Sequence, residues 1–134
     1  MSYTSISTQL ASIIDEITAV QAVYEYAPKN PGPFPYVTVE ESGNTDIFLS
    51  TAANEREYEF MIRVYYPLDD SSACSRIMKS VVDSIISELE GNNTLDGVVS
   101  WSLPVTAKWL YTVNAPKPMR VCEITLRAKE VVNR

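Results

Sequence analysis

Tyr58-Glu59-Phe60-Met61-Ile62-Arg63-Val64-Tyr65-Tyr66 is the stretch that decides the fold. Tyr58, Phe60, Ile62, Val64 and Tyr66 alternate with Glu57, Glu59, Met61, Arg63 and Tyr65. A strand turns successive side chains to opposite faces, so this period of two predicts one apolar face and one mixed face. Pro67 and Asp69-Asp70 end the strand, and Ser71 or Ser72 is placed to cap a following helix. There Ile77, Val81, Val82, Ile85, Ile86 and Leu89 recur at helical spacing, and Gly91 predicts a left-handed stop.

The closing segment, Met119 to Val131, repeats the strand signal. Cys122, Ile124, Leu126 and Ala128 fall on one face, and Glu123, Thr125, Arg127 and Lys129 on the other, which makes Cys122 a small core residue. Between the helix and this strand, a polar connection from Asn92 to Asp96 leads to two shorter predicted strands, Val98 to Leu103 and Ala107 to Val113. On the N-terminal side, Ile6, Leu10, Ile13, Ile14 and Ile17 form the stripe of an amphipathic helix from about Ser5 to about Val20, capped by Thr4 or Ser5. A short β-prone stretch from Val20 to Tyr26 then enters a loop stiffened by Pro28, Pro31, Pro33 and Pro35, residues that cannot donate ladder hydrogen bonds.

Tyr36 to Glu40 alternates again and is bounded by Ser42-Gly43-Asn44, a predicted turn. Gly43 to Glu55 is irregular and reads as a hairpin arm or a loop. Two helices separated by groups of strands, without regular βαβ alternation, predict one α+β domain over residues 1–134: a largely antiparallel or mixed β-sheet with two α-helices packed on one face.

Composition narrows the function. The 134 residues are 46% hydrophobic and 21% charged, and 17 acidic against 11 basic residues give a net charge of -6. A chain of this length buries roughly two-thirds of its unfolded surface, enough for a core without disulfides or metals. The acidic balance repels phosphate, so specific binding to nucleic acid or an anionic membrane is not expected. Apolar runs fall far short of the ~20 residues that cross a bilayer, and the N-terminus lacks a secretion-signal layout, so an intracellular start is expected. Histidine is absent, which removes the usual neutral-pH base and the commonest zinc ligand. Cys74 and Cys122 match neither a CxxC motif nor a metal-ligand spacing, and a disulfide between them is not expected.

The remaining constellations each carry two readings. Asp69-Asp70 is an acid-base pair or a favourable charge at a helix N-terminus. Glu55, Glu57 and Glu59 line one strand face, as a metal site or as a solvated or interface row. Trp101 and Trp109 are stacking platforms for a ligand or anchors of core or interface. Proline loops at Pro28 to Pro35 and Pro116-Lys117-Pro118 are rigid turns or parts of a contact surface. Ile47-Phe48-Leu49 stands out, an apolar triplet in a polar arm. It folds back on its own core, or it docks on a neighbouring subunit with a gain of about 1.5 to 3 kcal/mol per large side chain. No phosphate-cradling, nucleophile-elbow or HExxH pattern occurs, and with only four glycines nucleotide binding is unsupported.

The order of elements resembles the tail terminator proteins of long-tailed bacteriophages. The resemblance runs through the N-terminal helix, the proline loop into Pro35-Tyr36-Val37-Thr38-Val39, the irregular arm, the strand Tyr58 to Tyr66, the helix around Arg76 to Leu89, and Arg120-Val121-Cys122-Glu123-Ile124-Thr125-Leu126-Arg127. It implies a structural, non-enzymatic protein of the virion tail, assembled in the host cytoplasm, with no cofactor. Such a protein forms a homo-oligomeric ring, a hexamer in the virion, monomeric or not when free. The ring caps the tail tube protein, stops its polymerisation and presents a surface to the head-completion or connector protein. DNA passes through the lumen without specific binding, aided if acidic residues face it. The interface candidates are Asp46, Ile47, Phe48, Leu49, Arg56, Glu57, Glu59, Arg127 and Lys129, within and beside the arm from Asn44 to Glu55. Arg127 and Lys129 are expected to meet acids such as Glu57 or Glu59 of an adjacent subunit. Another neck or tube component, a small-ligand-binding module and, third, an enzyme that uses Asp69, Asp70, Glu57 or Glu59 are the competing functions.

Overall fold

The computed structural model describes residues 2–29, 32–68, 71–112 and 118–133. The expected roles of Asp69, Asp70, Pro31, Val113, Pro116 and Lys117 lie outside the described residues. The chain runs α1 (Ser2–Asp15), β1 (Ala22–Tyr24), β2 (Tyr36–Phe48), β3 (Ala53–Pro67), α2 (Ser71–Gly91), β4 (Trp101–Thr112) and β5 (Met119–Asn133). The strands form one mixed sheet in the order β1-β2-β3-β5-β4, in which, among the described residues, only the β1–β2 pair is parallel. A parallel pair needs a crossover rather than a tight turn, and the proline loop supplies it. That loop is tied down where Gly32 N–H donates to Tyr24 Oη at 2.8 Å.

Both helices cover one face of the sheet, as the apolar periodicities require. Ile6, Leu10 and Ile14 of α1, with Met78, Ile85 and Leu89 of α2, share one fully buried cluster with Val37, Val39, Phe60, Ile62, Val64, Ile124 and Leu126. Gln9 Nε2 donates to Asp96 Oδ2 at 2.6 Å and ties α1 to the turn after α2. The period-two strands β3 and β5 pair over their whole lengths, from Ala53 opposite Asn133 to Pro67 opposite Met119.

Several local expectations are corrected. α1 begins at Ser2 and ends at Asp15, so Thr4 and Ser5 stand inside it; single-turn hydrogen bonds from Ile17 N to Ile14 O and from Val20 N to Ile17 O continue the chain. Ser71 and Ser72 likewise stand in the first turn of α2. Gly91 closes α2, but the positive φ angles come later, at Leu95, Asp96 and Gly97, where the Asn92 side chain accepts from Asp96 N–H at 3.0 Å. Ser42-Gly43-Asn44 is not a turn: β2 passes through it with a bulge between Glu41 and Gly43, the extra residue that glycine accommodates. The two strands expected around Pro104 are one strand, β4, whose register shifts between Pro104 and Thr106. It lies at the sheet edge, where a proline is tolerated.

Cys74 and Cys122 are unpaired by any disulfide and buried. Burial pushes the Cys122 thiol up to about 11 and raises Cys74 as well. In the folded chain at pH 8 neither is expected to react with a soluble aromatic disulfide over minutes, whereas both should react at once in denaturant; rapid labelling of the native protein would contradict this packing.

Candidate assembly surface

Beyond the helices, the sheet continues as a three-stranded tongue made from the end of β2, the start of β3 and the end of β5. The irregular arm is therefore an ordered hairpin: Phe48 pairs with Asn54, and Leu49 and Ser50 N–H both donate to Ala53 O, at 3.3 and 3.0 Å. Ser50 Oγ also accepts from Ala52 N–H at 3.1 Å, closing the tip.

On the helix side of the tongue, Asp46 stands directly opposite Arg56. The guanidinium is bidentate on the carboxylate, Nε to Oδ1 at 2.7 Å and Nη2 to Oδ2 at 2.9 Å, and Asn44 and Asn54 each donate to Asp46 as well. These bonds, that of Arg56 first, hold the Asp46 carboxyl below its ordinary range. At the root, the Tyr3 hydroxyl donates to Asn44 Oδ1 at 2.6 Å while its ring meets the Tyr58 ring edge-on at 5.2 Å. Tyr58 in turn donates to Glu130 Oε1 at 3.0 Å, joining β3 to β5.

A depressed folded pKa contributes stability above the unfolded value, near 3.9 for aspartate, and that contribution is lost as pH falls through the folded value. The stability difference between the wild type and Asp46→Asn, measured by urea titration, is therefore expected to be present at pH 7 and to vanish as pH falls below the carboxylate range. A difference that stays constant with pH would contradict the ion pair.

The helix-free face carries a ladder of cross-strand ion pairs. Arg63 reaches Glu123 at 2.7 Å and Glu40 at 3.4 Å; Arg127 reaches Glu57 at 3.4 Å and Glu59 at 3.6 Å; Lys129 reaches Glu55 at 3.7 Å and Glu57 at 3.5 Å. Lys129 also lies 5.8 Å from the centroid of the Trp101 ring. The partners expected of an adjacent subunit are thus met within the chain, because the β3–β5 register sets Glu57 against Lys129 and Glu59 against Arg127. The alternation that revealed these strands could not reveal their register. Near the other end of this face, Tyr36 stacks on Tyr65 at 4.6 Å, and burial together with Tyr65 and Tyr24 pushes its phenol up to about 12.

The apolar groups of the tongue are not folded back. Ile47, Phe48 and Leu49 are 50%, 64% and 51% exposed, and Val131 of β5 adds a fourth exposed group at 52%. Alternation sets Val131 on the same face as Arg127 and Lys129, and the sequence reading, which followed that face only as far as Lys129, did not single it out. Trp101, Val105, Trp109 and Tyr111 are exposed along β4, and Arg120 lies 4.1 Å from the Tyr111 ring centroid and 5.2 Å from that of Trp109. Pairing β4 with β5 at the edge, rather than burying it, explains why neither tryptophan is a core residue.

Among the described residues no group of three or more His, Cys, Asp or Glu is placed to hold a metal ion, and no helix is long and apolar enough to cross a membrane. An open groove of about 650 Å³ lies between the end of α1 and α2, lined in part by Glu16, Asp83 and Glu88.

No protein-family model matches the chain, and no curated protein matches it. Among solved structures, a chain of the virion of a native gene transfer agent particle superposes with a TM-score of 0.53 at 19% identity, over 93% of this chain and 84% of that chain. The two chains share a fold.

Proposed function

We propose that this protein is a structural component of a phage or phage-like virion, and within that class a tail terminator: a ring, six subunits in the virion, that caps the tail tube, stops its growth and offers its other side to the head-joining protein. The observation that carries this reading is the ordered tongue, which holds Ile47, Phe48, Leu49 and Val131 half or more exposed at the end of a rigid, ion-paired sheet. An isolated chain gains nothing by displaying that surface, whereas a tube rim or a sister subunit gains burial of about 25 cal/mol per Å2. The shared fold with a chain of a gene transfer agent virion supports the same class. The protein acts by geometry and performs no reaction.

DNA transit needs a wall to which phosphate does not adhere. On the helix-free face Arg63, Arg127 and Lys129 are each engaged by carboxylates, so these cations are not open to phosphate. The reading is tested by adding purified protein to polymerising tube subunits. Arrest of elongation at a few rings' worth of protein per tube supports termination; unchanged tube growth rejects it.

A further inference from the structure

The sheet has two open edges, and they match. Among the described residues β4 pairs only with β5, and β1 covers β2 only at Tyr36, Val37 and Thr38, so both Val39 to Ile47 and the whole of β4 are laddered on one side only. We propose, building on the ring reading above, that these edges join between copies of this chain. β4 of one subunit lies antiparallel to β2 of the next, with Lys108 opposite Glu40 of the partner subunit and Trp101 opposite Ile47 of the partner subunit.

Three features select this partner. Direction is the first: the antiparallel steps β2–β3, β3–β5 and β5–β4 leave β4 running opposite to β2. A rotation about an axis along the strands preserves that relation, so every junction of a head-to-tail ring is antiparallel, the more stable kind of ladder.

Shape is the second. β2 bulges between Glu41 and Gly43, and β4 between Pro104 and Thr106. Setting Lys108 against Glu40 brings these two irregularities opposite each other and keeps the faces matched on both sides of them. Lys108 shares the face of its opposite residue Glu123, and Glu40 reaches the same Arg63 that Glu123 binds. Beyond the bulges, Trp101 lies by Lys129, and Ile47 stands opposite Glu55, which Lys129 also binds. A slip by one residue would send every one of these side chains to the wrong face.

Charge is the third: β4 carries Lys108 and no acid, whereas β2 carries Glu40, Glu41 and Asp46 and no base. The junction sets the cation of β4 on the same face as Glu40 of the partner subunit, places no like charges opposite each other, and covers exposed Trp101 and Ile47.

Cysteine pairs test the register directly. Within one chain β3 and β5 separate β2 from β4 by about 14 Å, beyond the roughly 4.4–6.8 Å between Cα atoms that a disulfide spans, so any bridge is between copies. Thr45→Cys with Leu103→Cys, and Glu40→Cys with Lys108→Cys, are in register on the two sides of the bulges; Thr45→Cys with Lys108→Cys is the displaced control. Full-length variants are oxidised mildly, alone at high concentration and on tail tubes. Denaturing gels without reductant are read beside native mass spectra and circular dichroism, and the two pairs guard against one variant failing to fold. A ladder extending beyond dimers from both in-register pairs, about tenfold stronger than from the control, supports the junction. Closed rings without that ladder overturn the edge pairing and leave the ring standing, with Pro104 and Lys108 then serving to blunt an edge. Dimers from Leu103→Cys alone replace it with a two-fold β4 contact. Folded variants that neither cross-link nor oligomerise, alone or on tubes, reject the ring as well.

Discussion

Replacing Ile47, Phe48 and Leu49 together with serine is expected to abolish capping of tail tubes while changing the unfolding free energy of the chain by less than about 1 kcal/mol. All three are at least half exposed, so the folded chain loses little packing when they are truncated. In a contact, each large side chain contributes about 1.5 to 3 kcal/mol. Losing even half of the combined value weakens each contact by about fortyfold or more, and in a ring the loss recurs at every subunit. The backbone of the tip stays in place, because Ser50, Ala52 and Ala53 close the turn and Asp46 with Arg56 clamps the strands behind it. Sedimentation with tubes, paired with urea titration, separates the outcomes. Undiminished capping would remove the tongue from the interface, and a large loss of stability would show that the triplet serves the fold.

Phe60→Ala is the opposite case, expected to cost about 3 to 5 kcal/mol of stability and with it all assembly. Phe60 is fully buried at the centre of β3, opposite Glu41 on β2 and Leu126 on β5, with its ring 6.1 Å from that of Tyr3. A domain of ordinary stability has about 5 to 15 kcal/mol in total, so the variant is expected to be partly unfolded or melt far earlier, without any change at the tongue surface. Urea titration checks it; a cost below about 1 kcal/mol would mean that the core closes around the gap.

The contrast between these variants also marks where sequence reading succeeds. Phe60, Ile62, Leu126 and Ala128 announce their burial because alternation on a strand is a local property, and the helical stripes of α1 and α2 are local in the same way. Together they place two helices on one face of a sheet. Ser42-Gly43-Asn44 has the composition of a turn, yet pairing with β3 on the far side carries the strand through it as a bulge. Pro104 looks like a strand breaker until the strand is known to lie at an edge. These misreadings share a cause, since the deciding contact comes from a residue distant in the chain.

The candidate surface divides in the same way. Ile47-Phe48-Leu49 is visible as an apolar triplet in polar company, and the structure leaves it exposed. The ion pairs of Glu57, Glu59, Arg127 and Lys129 depend on register between strands some seventy residues apart, which no window along the chain reveals. Their engagement within one chain shifts attention from these charges to the apolar tip and to the two sheet edges. Asp46 and Arg56, read as interface candidates, clamp the tongue whose tip the contact would use.

The central claim, termination of a tail tube, is tested most directly by imaging negatively stained tails from a host whose virus lacks this gene, with and without purified protein added back. Overlong or ragged headless tubes, restored to uniform length and head joining by the protein, are the expected result. Tubes of normal length that only fail to join heads would contradict termination and assign the chain to the connector, and normal virions without the gene would contradict any part in the tail.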